Sequence, residues 1–235
     1  MEREVYRSMR ALQKEHWWFR GRRRIVSALI ESLSLPRAAR ILEAGAGSGG
    51  NIAMLQQFGQ VSAFDVDPEV AGFCSEDTGV ACAIGALPEG NPFAGSGSFD
   101  LVVALDVLEH IEQDVDSLRS LAGCLAQGGR LLLTVPAYPW LYSDHDRVHH
   151  HHRRYTRRGL RRAVGEAELR VRRCGYFNGL LLPAVVAFRL GARLLRRTGA
   201  NDTGVANGRG SNALLRDSGQ MRGCDHGGIM RRDTR

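Results

Sequence analysis

From residue 40 onward the chain alternates short β-type apolar runs with stretches whose apolar positions recur every three or four residues. This is the pattern of a parallel sheet covered by helices. RILEA (40–44), VSAFD (61–65), VACAI (80–84), FDLVVAL (99–105) and RLLLTV (130–135) read as five strands, and LRVRRCGYF (169–177) as a sixth. The fourth and fifth are continuously apolar, as central strands buried on both faces should be. Ile52, Leu55 and Phe58 mark a helix between the first two strands. Val115, Leu118, Leu121, Ala122 and Leu125 mark another, expected to end at Gly128-Gly129 in a left-handed turn. A further helix is expected over about 156–168.

The pattern changes at both ends. Residues 1–36 suggest two helices, EREVYRSMRALQKEHWWF and RRRIVSALIESLSL, stopping before Pro36 and forming a lid. The α/β domain proper then spans 37–178. Residues 179–200 contain the longest apolar run, Leu180 to Phe188, too short to span a bilayer but suited to an amphipathic helix with Arg189 and Arg193 on one stripe. Such a helix either packs on the sheet or lies at a membrane surface. The tail, 201–235, is rich in Gly, Asn, Asp and Arg, has no usable apolar period and reads as disordered.

Charge divides along the same lines. The net +7 is the sum of an acidic centre, residues 41–130 with 13 acids against only Arg119 and Arg130, and strongly basic flanks. Flanks of this kind suit an anionic partner, although Lys14 is the only lysine and the arginine usage also fits a genomic bias. The five dispersed cysteines, with no CxxC pair, indicate neither a disulfide framework nor a zinc module. The charged start, MEREVYRSMR, lacks the apolar stretch of a secretory signal. A cytoplasmic protein, with peripheral membrane contact left open, is expected.

Chemistry concentrates at the ends of the strands. The first strand runs into Gly45-Ala46-Gly47-Ser48-Gly49-Gly50, and the second closes on Asp65. Glycines allow a tight turn and close approach of a ligand to the backbone, and an acid at the second strand can accept hydrogen bonds from ribose hydroxyls. The loop satisfies dinucleotide and S-adenosylmethionine (SAM) patterns equally. Glu43, two residues before the first glycine, favours SAM, because no pyrophosphate has to be neutralised and an acid suits the cationic methionine end.

ILEAGAGSG, FDVD, ALPEGNPF…SFDLVVALDVLEH and AQGGRLLLTVP together resemble, in order, the motifs of class I SAM-dependent methyltransferases over about residues 40–177. The resemblance implies a Rossmann-like, mostly parallel sheet flanked by helices, although the family's seventh strand is not recognisable in the tail. It also implies SAM as cofactor, with Glu43, Gly45, Gly47 and Gly49 at the methionine side, Asp65 and Val66 at the ribose, and Ala86 and Leu87 bordering the adenine. Leu105 would touch the cofactor. HWWFRGRRR (16–24) is similar to a feature of one methyltransferase subgroup and, more loosely, of ubiquinone-biosynthesis O-methyltransferases. That similarity implies an arginine, Arg24 or its neighbour Arg23, on the cofactor carboxylate.

For the reaction itself an oxygen acceptor needs a base or a metal. Asp106, Glu109 and His110 resemble an ExxEH metal cluster with Asp in place of the first Glu, and the donor set suits Mn²⁺, Zn²⁺ or Fe²⁺ better than Mg²⁺. Acids there also suit a helix start. In DHDRVHHHHRRYT the subgroup pattern falls on His145, Asp146, His151, Arg153, Arg154 and Tyr155, which adds His145 and His151 to His110, itself a possible base, as candidate catalytic residues. His149, His150 and His152 are expected to be incidental. The expected acceptor is a small-molecule or lipid-like hydroxyl. A SAM-binding protein without catalysis, an RNA methyltransferase and, least favoured, an NAD(P)-dependent oxidoreductase are the alternatives, and nothing beyond charge points to nucleic acid.

Overall fold

The computed structural model describes residues 16–177, apart from the side chain of His145, and the backbone of residues 225–232. The first expected N-terminal helix up to residue 15 and the amphipathic segment 179–200 lie outside the described residues, so the membrane-contact expectation does too. Among the described residues no helix is long and apolar enough to cross a membrane.

The described residues begin with α1 (Trp17–Glu31), then alternate β1 (Ala39–Ala44), α2 (Ile52–Leu55), β2 (Gly59–Asp65), α3 (Pro68–Thr78), β3 (Cys82–Ile84) and β4 (Phe99–Leu105). It continues through α4 (Asp114–Cys124), β5 (Leu125–Pro136), α5 (Asp144–Val148), α6 (Arg157–Glu166), β6 (Leu169–Phe177) and β7 (Asp225–Arg232). The strands form one sheet in the order β3-β2-β1-β4-β5-β7-β6, parallel except for β7. β1, β4 and β5 lie at its centre, where Ile41, Leu42, Val102, Val103, Leu131 and Leu132 are fully buried. Parallel strands place all their carboxyl ends along one edge, and ligands of such sheets bind there.

Four expectations are corrected. The paired tryptophans do not end a first helix but start α1, with His16 as N-cap accepting from the Trp18 N–H. Trp18, Arg22, Val26 and Ile30 then fall every four residues on one stripe, and the three apolar members are buried. α4 ends at Cys124 rather than at the glycine pair, because residues 125–129 already run along β4 as an irregular start of β5. The register jumps from Phe99↔Leu125 to Leu101↔Arg130, with Gly128 at φ 79°. The missing seventh strand is present as β7, Leu132 opposite Ile229 on one side and Cys174 opposite Gly228 on the other. Over 225–232, therefore, the tail is not disordered.

Helix ends follow local chemistry. Asp67 caps α3, accepting from the Glu69 and Val70 N–H groups, Pro68 sits at the first helical position, and Gly79 closes the helix at φ 72°. Thr156 caps α6, whose Leu160, Ala163 and Val164 pack on the core while its arginines face outward.

Candidate functional site

A cavity of about 640 Å³ opens at the carboxyl edge of the sheet, within the size range of small-molecule sites. Its walls come from the glycine loop, the ends of β2, β3 and β4, the inner face of α1, and the histidine run.

The glycine loop is built for close approach. Gly45 has φ 69°, and a Cβ there would lie 2.6 Å from Cγ2 of Val107, so no other residue fits without displacement. Gly47 has φ 56° and donates its N–H to Oδ2 of Asp65 at 2.8 Å. Gly49, expected at the ligand, turns away instead. A Cβ there would meet Cγ2 of Thr78 at 2.6 Å, so this glycine serves the packing of the loop on α3.

Two acids underlie the loop. Asp65 lines the cavity, is held by the Gly47 and Asp67 N–H groups, and has its carboxyl pushed up by burial. Glu43 lies beneath the cavity floor rather than on it, 1% exposed. Its Oε1 accepts from Nδ2 of Asn51, which does line the cavity, at 2.8 Å, and its Oε2 has no hydrogen-bond partner among the described residues. Burial pushes the Glu43 carboxyl up to about 8, against the opposing hydrogen bond from Asn51. Val66, Ala86, Leu87 and Leu105 all line the cavity, with Val66 64% exposed at its mouth.

The arginine expectation shifts. Arg24 is exposed, while Arg22 and Arg23 line the cavity with Phe19. The reason is helical spacing. Arg22 sits on the buried stripe with Trp18 and Val26, and Arg24, two residues on, points about 200° away. Arg22 Nη1 pairs with Asp106 Oδ2 at 2.5 Å, and its Nη2 donates to Oγ1 of Thr134 at 2.6 Å. Thr134 Oγ1 in turn donates to Asp106 Oδ1 at 3.0 Å, and the Asp106 N–H bonds to the Thr134 carbonyl at 2.9 Å, holding Asp106 at φ 57°.

That arrangement changes the proposed metal set. Asp106 is engaged with Arg22 and Thr134, and the compact donor group is Glu109, His110 and His151, each offering one atom within 4.8 Å of the others. Glu109 is buried, and both histidines line the cavity, their rings edge to face at 4.6 Å.

The histidine run is the largest departure from expectation. All four of His149 to His152 line the cavity, so none is incidental to it. The loop is latched although His150 and His152 are exposed: the His152 N–H bonds to the Glu109 carbonyl, the Tyr142 hydroxyl to the His151 carbonyl, and Arg153 to Asp114 and the Glu112 carbonyl. His145 lies in α5, and its side chain is outside the described residues. Beside it, Asp146 is fully buried and receives Nδ1 of His151 at 3.0 Å and Nε of Arg154 at 2.7 Å.

Sequence reasoning thus misses Arg22, Asn51 and Thr134, and it names Asp146 in the subgroup pattern without giving it a role. The i, i+4 spacing from Trp18 would have found Arg22, and the position just after the glycines would have found Asn51. Thr134 carries no sequence signal beyond its place near the end of a buried strand.

Comparison with known proteins gives the family and the fold. A family described as "Methyltransferase domain" matches residues 18–173. A ubiquinone biosynthesis O-methyltransferase of Xanthomonas axonopodis pv. citri is 34% identical over 115 residues, 47% of this chain and 46% of that protein. The chain spans less than half the length of the curated relatives it matches. A Bacillus halodurans protein described as a candidate methyltransferase shares the fold with TM-score 0.64 at 17% identity, covering 88% of this chain and 99% of that one. Haemonchus contortus phosphoethanolamine N-methyltransferase 2, solved with S-adenosyl-L-methionine, shares it with TM-score 0.62 at 14% identity, covering 88% and 52%.

Proposed function

The chain belongs to the methyltransferase-domain family, class I SAM-dependent enzymes of Rossmann-like fold, and on that premise we propose that it moves a methyl group from SAM to a hydroxyl of a small or lipid-like acceptor. The observation that carries the hydroxyl is the imidazole of His151, which lines the cofactor cavity and is backed by a buried carboxylate. A charged sulfonium needs little help to leave, so a site of this kind serves chiefly to position the acceptor and take its proton. The O-methyltransferase relatives support oxygen as acceptor, and the word ubiquinone in their names supports a lipid-linked one.

The residues present fit SAM. Glycine at 45 and 47 leaves a cradle that side chains would fill, and the buried Glu43 Oε2 is an acceptor for positive charge. Asp65 would take the ribose, Ala86 and Leu87 the adenine border, and Arg22 or Arg23 the carboxylate. When bound, SAM supplies an electrophilic methyl group whose transfer leaves a neutral thioether. His151 would accept the acceptor's hydroxyl proton and pass it to water, and Phe19, Val107 and Ile111 would exclude solvent from the same space. The family match sets aside the dinucleotide reading, and β7 removes the reason for supposing a protein without catalysis.

A second reading is a divalent cation, favoured by the closeness of Glu109, His110 and His151. Two imidazoles and one carboxylate suit Mn²⁺, Zn²⁺ or Fe²⁺, and the acceptor oxygen would then be activated by the ion.

The test is calorimetric titration with SAM and S-adenosylhomocysteine, followed by transfer of labelled methyl from SAM to a panel of phenols and catechols, with and without a prenyl chain, in chelator or in Mn²⁺. Binding of both cofactors and base-stable label on a hydroxyl in chelator is the expected result. Label confined to amines would overturn the hydroxyl acceptor, and activity only with Mn²⁺ would favour the second reading.

A further inference from the structure

Between α5 and the histidine run, Asp146, His151 and Arg154 of the subgroup pattern form a buried ionic cluster to which the pattern itself gives no role. Asp146 is completely buried, yet each of its oxygens is occupied. Oδ2 accepts from the Ser143 N–H at 2.8 Å and the Ser143 hydroxyl at 3.1 Å, tying down the turn that starts α5. Oδ1 accepts from Nε of Arg154 at 2.7 Å and meets Nδ1 of His151 at 3.0 Å. Arg154 is itself buried, and its Nη1 donates to the Ala137 carbonyl at 3.2 Å, so the guanidinium is anchored at both ends.

A carboxylate in this setting must be ionised. The guanidinium of Arg154 is always charged and donates to Oδ1, and Oδ2 already accepts two hydrogen bonds from Ser143, so the donors around the group are those of a carboxylate. An ionised carboxylate has no proton to give, so the short contact requires the hydrogen to sit on Nδ1 of His151. In the neutral ring the other nitrogen, Nε2, is then bare. Asp146 does not line the cavity and His151 does, so the ring reaches from the buried carboxylate to the open space. On its far side it packs edge to face with His110.

We propose that Asp146, locked by Arg154, is a positioning residue that fixes the tautomer and orientation of His151 and presents a bare Nε2 to the acceptor side of the cavity. The two oxygens divide the work: Oδ2 shapes the turn, and Oδ1 acts on the histidine. The proposal rests on the reading of His151 as the group that faces the acceptor, and it holds whether Nε2 takes a proton or binds an ion, because either role needs the lone pair free.

The experiment is a long-range proton–nitrogen correlation spectrum of ¹⁵N-histidine-labelled protein at pH 8 in chelator, with His151 assigned by its loss in His151→Gln. A His151 ring protonated at Nδ1 and bare at Nε2 is expected in the wild type, with loss of that pattern in Asp146→Asn. A wild-type ring protonated at Nε2 would overturn the proposal without need of any variant. So would an unchanged tautomer in a folded Asp146→Asn protein, since Asp146 would then serve only the turn. SAM titration of the same samples separates this outcome from failure of the functional reading: wild type that binds no SAM sinks the latter and leaves the tautomer result standing.

Discussion

The guanidinium of Arg22 and the carboxylate of Asp106 meet at 2.5 Å, joining α1 to the turn after β4, and both side chains are only 10% exposed. Thr134 touches each of them, so the three form one unit in which Arg22 and Asp106 line the cavity. Removing one partner leaves a buried charge, which costs about 3 kcal/mol or more, whereas removing both relieves it. In urea denaturation, Arg22→Met and Asp106→Asn should each destabilise, and the double variant should lose clearly less than the sum of the two. Strictly additive losses would mean that the pair does not hold α1 to the sheet.

Glu43 should make the ligand-free protein less stable as pH rises. Its carboxyl is raised from 4.5 to about 8 in the fold, so between those values the unfolded chain has released a proton that the folded one retains. Stability is then fully present below about pH 4.5 and falls as pH rises to about 8. Glu43→Gln removes the effect and should be more stable than wild type at pH 8 by roughly 2 kcal/mol or more. A cationic ligand would favour the ionised acid, so wild type, unlike Glu43→Gln, should release a proton on binding SAM at pH 7. Heats measured in phosphate and Tris buffers report that proton.

Much of this site can be read in the chain, and the omissions have definable causes. Strands β1, β4 and β6 carry local patterns and the structure places them as read, while of the glycine loop Gly45 and Gly47 reach the cavity and Gly49 does not. Arg22 was passed over for Arg24 because three arginines in a row look alike until the helix phase is fixed by Trp18 and Val26. Asp146 looks like a charge in a charged run, and its burial depends on Arg154, eight residues on, and Ala137, nine back. The seventh strand failed for a different reason: DHGGIMRR offers only Ile229 and Met230 as apolar residues. Its β structure comes from partners on both sides, and tertiary pairing of that kind overrides local propensity.

Gly45→Ala should abolish cofactor binding through two separable effects. The added methyl would meet Val107 at 2.6 Å, and φ 69° is strained for any residue with a Cβ. Val107→Ala in the same chain opens the space and leaves the backbone strain. The double variant should therefore recover part of the SAM-induced thermal shift and remain about 1–2 kcal/mol less stable than Val107→Ala alone. Full recovery would show that sterics alone select the glycine.

Removal of β7 should cost the sheet far more than one strand. β6 pairs with β7 on its sheet side, and β7 also covers the run Leu131 to Val135 of β5. A chain stopped after residue 224 would expose the edge of β5, which is fully buried at Leu131, Leu132, Leu133 and Val135. An exposed apolar edge strand is an aggregation site. The truncated protein should lose its cooperative thermal transition, bind a hydrophobic dye and collect in aggregates on sizing. Gly228→Pro tests the same strand without shortening the chain, because proline cannot donate to a ladder in the middle of a sheet. That variant should melt several degrees lower, with amide protection falling at Leu133 and Cys174, the residues paired with Gly228. If both variants melt with the full-length protein, β5 and β6 are held by something other than this strand.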